Sequence, residues 1–412
     1  MGKLEPLSMR LRRFCAFLTG FVFFISGIFK LLDPVGAGLV MSDYYKFFNV
    51  EFLEFSAMPV AVFLALLETV TGAALITGVW RKVTAIAASA LMAYFTLLSA
   101  VLVIFNPVMD CGCFGEVIHL THMQTFLKNI VLCVLLFAAY FPYREFGQTR
   151  KRKFVAFPMV MLAVLAFAGY SLVFIPLVDY TDFRPASRLM AAERAHESEG
   201  EEDMFEYVLV YEKEGRTREF TLEDIPDSTW TFVESKAVPK AGYRQEVFPE
   251  LTLKDASGEY CDQLAAAHNV MIVSVYDVDM KKEKWGNVAG FLERAGAEGF
   301  STLLVTASYP EALTSALESS GLDPQLVRFI SDNAYYGDYK TLISMNRSNA
   351  GVTYFDHGFL VRKWSYLGTP DEEGLAELAS GDITETLLDF STTGEVTFKG
   401  FLLYCFAVML LL

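Results

Sequence analysis

The chain has 412 residues, 53% of them hydrophobic, with a mean hydropathy of +0.34, which excludes an ordinary soluble protein. Its net charge of −15 is divided unevenly: residues 1–178 carry 14 Lys/Arg against 9 Asp/Glu, and residues 179–412 carry 20 against 40. So acidic a second half repels nucleic acid and anionic lipid, which excludes both as its partners, and the length predicts more than one domain.

Five apolar stretches are long enough to cross a bilayer core, which takes about 20 residues. They run from Leu11 to Leu32, Ser56 to Gly78, Val83 to Phe105, Gln124 to Tyr143 and Phe154 to Val178. No small-residue cleavage site follows the first, so it reads as a span rather than a signal peptide. A sixth stretch, Thr397 to Leu412, reads as a short span or the end of a longer one. Basic residues cluster before span one (Arg10, Arg12, Arg13), between spans two and three (Arg81, Lys82) and between spans four and five (Arg144, Arg150, Lys151, Arg152, Lys153). Under simple alternation all three clusters share one side, which the positive-inside rule makes cytoplasmic. The loops at about 33–55 and 106–123, and the acidic region from about Asp179 to Thr393, are then expected outside, in the periplasm of a bacterial inner membrane. Disulfides form and persist there.

Residues 185–205 read as a linker or helical stalk. Strands are predicted at Phe205–Tyr211 and Thr229–Val233, with a turn at Glu214-Gly215 between them. From Phe248 the pattern becomes β–α–β. Asn269–Tyr276 and Ser301–Thr306 are continuous apolar runs of buried-strand type, 284–296 and Pro310–Ser319 are helical, and Val327–Ile330 reads as a short strand. Val352–Phe355 and Phe359–Trp364 form a hairpin around Asp356-His-Gly358. This alternation predicts an α/β domain.

Of the six cysteines, Cys15, Cys133 and Cys405 lie in apolar runs and read as inert. Cys111-Gly-Cys113 is the one close pair. Two sulfurs two positions apart close a strained ring, and strained, exposed disulfides are labile and oxidising. Exchange chemistry therefore ranks first for this pair, a structural role second, and a metal site with His119 and His122 third. Lys30 and Lys128 both lie at the cysteine end of their spans. Either they lower a thiol pKa or they reach out to the headgroups. Glu68 lies near mid-membrane, where a charge is costly and wants a partner; Lys30 and Lys128 are the candidates. A structural ion pair and a proton-transfer role both stay open for it. Cys261 reads as a half-buried thiol or, less simply, a resolving cysteine. His268 and His357 are assigned to loops and packing.

The first 150 residues carry Ser26-Gly27 through Lys30, Asp33-Pro34, Glu68, Gly78-Val-Trp-Arg81, Asn106-Pro107, Asp110-Cys-Gly-Cys-Phe-Gly115 and Thr125-Phe-Leu-Lys-Asn129. In these they resemble the DoxX/MauE group of redox-associated membrane proteins. That resemblance implies a four-helix bundle, a link to disulfide maturation of exported proteins, and a quinone as one electron acceptor. Residues 248–365 resemble the thioredoxin-like fold of TlpA-type proteins in their element order and in Arg347-Ser-Asn-Ala-Gly351. They depart from it at two points: Asp277–Lys282 holds no Cys-x-x-Cys, and Ala350 stands where a cis-proline is expected.

The predicted architecture is a membrane all-α unit fused to an α/β thioredoxin-like extracytoplasmic domain. It divides into a DoxX/MauE-like bundle at 1–145, a fifth span at 154–178, a linker with a small β segment at 179–247, the thioredoxin-like domain at 248–392 and a short span at 397–412. Two functions compete. One is a thiol–disulfide relay through Cys111 and Cys113, served by Lys30, Glu68 and Lys128, passing electrons from a periplasmic thiol protein or exported client toward a quinone. The other is a membrane-anchored docking factor whose thioredoxin-like domain binds an exported or membrane partner. No metal is expected, and transport ranks third because no discontinuous helix or inverted repeat is evident.

Overall fold

The protein is described from a computed structural model covering residues 6–107, 109, 111–141, 151–185, 187–192, 205–213, 216–221, 230–239, 249–381 and 383–412. Among these residues five helical segments are long and apolar enough to cross a membrane: Met9–Leu32, Glu51–Thr77, Arg81–Phe105, His122–Tyr140 and Lys151–Val173. The chain is a multi-pass membrane protein.

Helix α1 (Pro6–Leu32) packs along α3 (Ala57–Thr77) and against α5 (His122–Tyr140), and α5 in turn packs on α4 (Arg81–Phe105). Glycine sets the closeness of α1 and α3. A Cβ on Gly72 would stand 2.5 Å from the Phe24 nitrogen and 2.7 Å from the Gly20 carbonyl oxygen, and one on Gly27 would meet Thr69 Oγ1 at 2.1 Å. Lipid offers helices little hydrophobic reason to associate, so close backbone approach through small residues carries the packing. Gly72→Ala is expected to cost about 1–3 kcal/mol by forcing the two helices apart, read as a lower unfolding midpoint in detergent.

Between α1 and α3 the chain makes a helix where a loop was expected. In α2 (Pro34–Phe47), Pro34 opens the helix and the Asp33 carboxylate accepts from the Gly36 nitrogen at 2.9 Å. A 3-10 turn, Glu51–Ser56, leads into α3. Fourteen residues are too few to cross, and the Gly-rich start hides the helix from a span search. Helix α6 (Lys151–Val173) packs on α1 and α3. Helix α12 (Ile383–Leu411) lies against α6, with Phe401 stacked on Phe167 at 5.5 Å and the Tyr404 hydroxyl donating to the Ala163 carbonyl at 2.7 Å. This one helix runs through positions 392–397; only its later part, Val396–Leu411, is continuously apolar. Arg144, Arg150 and the stretch 193–204 fall outside the described residues, as does the Glu214-Gly215 turn.

Three antiparallel strands, β2 (Phe205–Lys213), β3 (Arg216–Thr221) and β4 (Thr231–Pro239), form a small sheet in the order β3-β2-β4. The larger mixed sheet has the order β7-β6-β5-β8-β9. Strands β5 (Val270–Val275), β6 (Ser301–Thr306) and β7 (Ala334–Tyr336) are parallel, and β8 (Gly351–Asp356) pairs antiparallel with both β5 and β9 (Phe359–Trp364). Helices α7 (Lys282–Ala297), α8 (Pro310–Ser319), α9 (Pro324–Asp332) and α11 (Glu372–Ser380) pack around one face. Burial of all six residues of β5 and all six of β8 explains their continuous apolar runs. Val327–Ile330, expected as a strand, lies inside α9. Asp323 caps that helix by accepting from the Gln325 nitrogen, and Pro324 begins it, so the short apolar run belongs to a helix face. The segment after α6 is not a free linker. Leu360 N donates to the Ser187 carbonyl and Leu189 N to that of Gly358, fastening it along β9.

Among the described residues, ion pairs tie the sheet to the membrane unit and to the segment that follows α6. Arg347, after the short helix α10 (Tyr339–Met345), reaches Asp33 at 2.8 Å with both side chains buried. Lys340 meets Asp43 at 2.9 Å, and Lys363 meets Asp179 at 2.5 Å. Asp33 thus serves two roles, as α2 cap and as counterion of Arg347.

Candidate functional site

The loop between α4 and α5 folds down onto the bundle. Asn106 ends α4 in the left-handed conformation at φ +43°, and β1 (Cys113–Glu116) begins at the second cysteine of the pair. Gly112 has φ +60°, and a Cβ there would lie 2.5 Å from Val40 Cγ1 of α2, so only glycine fits between the cysteines. The flanking backbone is pinned. The Tyr44 hydroxyl donates to the Cys111 carbonyl at 2.9 Å, and the Ser26 hydroxyl donates to that of Cys113 at 2.5 Å. Helix α2, which the sequence reading missed, therefore forms one wall of the loop.

Both thiols are free; Cys111 is buried and Cys113 half-buried. Cys111 Sγ lies 3.0 Å from the Thr125 hydroxyl and 3.2 Å from the Leu120 carbonyl oxygen. As a thiol it donates to that carbonyl; as a thiolate it accepts from Thr125. The pair shares one proton. The hydrogen bond from Cys113 pulls Cys111 down to about 5 against opposing burial, with help from Thr125 and the Lys128 charge. The same bond and burial push Cys113 well above the usual thiol range. A lowered pKa keeps the thiolate present as pH falls from 9 toward 5. Alkylation of Cys111 in the reduced protein by iodoacetamide is therefore expected to rise through about pH 5 and be flat by pH 7, read by mass spectrometry of its peptide. A midpoint near 9 would contradict the shared-proton arrangement.

The other residues singled out from the sequence gather beneath the pair. Lys30 Nζ stands 2.5 Å from Glu68 Oε2, with the side chains only 14% and 5% exposed. Of the two candidate partners, Glu68 has therefore taken Lys30. Lys30 also lies 5.3 Å from the centre of the Phe95 ring, and Lys128 4.7 Å from that of Phe114. A small cavity with room for about one water molecule touches Ser26, Lys30, Glu68, Cys113, Lys128 and Asn129. A second, with about 80 Å³ of room inside an open mouth, lies against Cys111, Gly112 and Cys113. Its walls are mostly apolar, from Val40 and Met41 of α2, Ala61 and Leu64 of α3, and Tyr94, Phe95, Leu98 and Leu102 of α4. Lys30, Phe95 and Cys113 border both cavities.

Cys261 is not among the residues around either cavity. It is half-buried against the sheet, where burial raises its thiol pKa. His122 Nε2 donates to the Pro107 carbonyl, 3.0 Å away, and among the described residues neither it nor His119 joins the cysteines in a group close enough to hold a metal. One constellation had no sequence signal: His268 and His357, assigned to loops and packing, meet at Asp356 across 88 positions of chain.

Residues 8–142 match the family described as Methylamine utilisation protein MauE, and residues 205–240 match Domain of unknown function (DUF8463). The first match covers the segment that holds Lys30, Glu68, Cys111, Cys113 and Lys128. No curated protein and no solved structure matches the chain.

Proposed function

We propose that this chain is a membrane thiol–disulfide oxidoreductase that matures exported proteins through Cys111 and Cys113. The observation that carries the reading is the joint placement of a proton-sharing dithiol, an apolar cleft and a buried Lys30–Glu68 pair. In the oxidising half-reaction an exported dithiol gives two electrons and two protons to the Cys111–Cys113 disulfide. The client leaves with a disulfide and the pair is left as two thiols. Reoxidation removes the same two electrons and two protons.

The cleft fits a quinone ring. It is mostly apolar, has aromatic walls at Tyr94 and Phe95, and reaches the cysteine pair at one end. A bound quinone supplies a two-electron, two-proton sink there. Thr125 stabilises the Cys111 thiolate, and Lys30 with Glu68 offers a proton path from Cys113 into the bundle. The three basic clusters support a cytoplasmic N-terminus and a periplasmic dithiol loop. The Arg12 guanidinium donates to the Ala139 carbonyl at 3.0 Å, so the start of α1 and the end of α5 share one end of the unit. The β5–α7–β6 unit and the β8–β9 hairpin support a thioredoxin-like domain over 248–392 that lacks the Cys-x-x-Cys pair.

The test uses purified, reduced protein in lipid nanodiscs mixed with a short-tailed benzoquinone. The expected result is two alkylatable thiols lost from Cys111 and Cys113 per quinone reduced, and none lost from those positions in Cys111→Ser. Unchanged thiols with quinone left oxidised would overturn it.

A second reading has its own observation. Tyr276, Arg347, Ser348 and Asn349 of the sheet unit face Ser42 and Glu54 of the membrane unit across a cavity, with Arg347 clamped on Asp33. In this reading the sheet unit docks partners and the bundle anchors it. It predicts that Arg347→Ala abolishes client maturation while Cys111→Ser/Cys113→Ser leaves it intact.

A further inference from the structure

At the end of β5 opposite Tyr276, three metal-competent side chains converge. Asp356 closes β8 and His357 follows it in the hairpin turn. His268 belongs to the loop entering β5. One donor atom from each lies within 4.8 Å of the others. His268 Nδ1 is 2.6 Å from Asp356 Oδ1, and the two imidazole rings stack at 5.1 Å and 29°. Asp356 is buried while both histidines are exposed, so the carboxylate is fixed and the open side faces solvent.

The surroundings hold this arrangement from several directions. Asn269 N donates to Asp356 Oδ1 at 2.9 Å, Asn269 Oδ1 accepts from the Tyr354 hydroxyl at 2.6 Å, and His357 N donates to the Ala267 carbonyl at 3.0 Å. Asn269 and His357 both sit in the left-handed region, at φ +53° and +48°. For histidine that conformation is strained, and such strain persists where the surroundings over-determine it. A simple clamp between the hairpin and the β5 loop would need one imidazole on Asp356. The second imidazole, brought over the first, adds nothing to a clamp and completes a three-donor set.

We propose that His268, Asp356 and His357 bind a divalent transition metal of the zinc class. Two imidazoles and one carboxylate are borderline donors that suit zinc, cobalt or copper rather than calcium or magnesium. Ligands at ~2.0–2.2 Å around a tetrahedral ion stand about 3.3 Å apart, so the 2.6 Å His268–Asp356 contact opens as the ion replaces the hydrogen bond, and His357 closes inward. Three protein ligands leave a fourth position to water on the exposed side. The site is independent of the dithiol and of its proposed chemistry.

The experiment titrates Zn2+ into the full chain in nanodiscs, prepared without a polyhistidine tag and with its thiols alkylated, and follows binding by calorimetry. One Zn2+ per chain is expected, with affinity weakened at least tenfold in His268→Gln and in His357→Asn. Asparagine tolerates the left-handed backbone at 357, so that change removes the donor and keeps the turn. Binding equal to wild type in both variants, or no Zn2+ taken up by the wild type, would overturn the proposal. Should a variant melt early, the wild type decides alone. Visible Co2+ absorption displaced by one equivalent of Zn2+ supports the site, and its absence refutes it.

Discussion

Cys111→Ser and Cys113→Ser are each expected to abolish turnover, since neither can form the internal disulfide that takes the client's electrons. A client with one thiol activated as its 2-thiopyridyl mixed disulfide is expected to be captured on Cys113 in Cys111→Ser, with thiopyridone released, and not on Cys111 in Cys113→Ser. The reason lies in the asymmetry of the pair. In the oxidised protein the attacked sulfur must be accessible, and Cys113 is half-buried where Cys111 is buried. The expelled sulfur must be a good leaving group, and a thiol of lower pKa leaves faster. The Thr125 hydroxyl and the Lys128 charge favour the thiolate of Cys111, and both stay in place when Cys113 is held in a mixed disulfide. Both arguments place the mixed disulfide on Cys113 and the free thiolate on Cys111. With serine at 111 the adduct on Cys113 has no neighbouring thiolate to displace it. Diagonal non-reducing gels of membranes carrying each variant, treated with the activated client, separate the outcomes. Adducts on Cys111 in Cys113→Ser would reverse the assigned roles.

Glu68→Ala is expected to destabilise the membrane unit by about 3–5 kcal/mol, because it leaves the Lys30 ammonium buried without its counterion. Replacing both, as Lys30→Met/Glu68→Leu, removes the charge and the desolvation together, and is expected to recover most of that loss. Reversible unfolding in mixed micelles of the two single variants and the double variant completes the cycle. If the double variant keeps its stability but loses quinone-coupled oxidation of the dithiol, the pair is a proton path. If it keeps both, the pair is structural. Equal stability of Glu68→Ala and wild type would mean that the 2.5 Å contact carries no energy.

The spans were legible because lipid demands long apolar runs, and all five appear within a few residues of their expected limits. The dithiol loop was legible as chemistry, since two cysteines around a glycine stand out in any polar loop. Its walls were not. Helix α2 is shorter than a span and opens on Pro34-Val-Gly-Ala-Gly38, a run that local propensity reads as loop. Helix α9 shows the same ambiguity from the other side: Val327–Ile330 is apolar enough for a strand, and only the Asp323-Pro324 start marks it as helix. Glu68 announced a partner, but the choice of Lys30 over Lys128 depends on how α1 and α3 meet, and that is set by Gly27 and Gly72. The His268–Asp356–His357 cluster was invisible because sequence separation hides what the β5–β8 pairing joins. The ion pair between Arg347 and Asp33, 314 positions apart, was hidden for the same reason.

The central claim is that Cys111 and Cys113 cycle between dithiol and disulfide in the living membrane. Rapid acid quenching of growing cells, followed by alkylation with a mass-tagged maleimide, reads the state of that pair directly. The account predicts two populations, with the oxidised one diminishing when electron flow out of the quinone pool is blocked. A pair that stays fully reduced under every condition, in a strain where the double serine variant matures exported proteins as well as wild type, would contradict it.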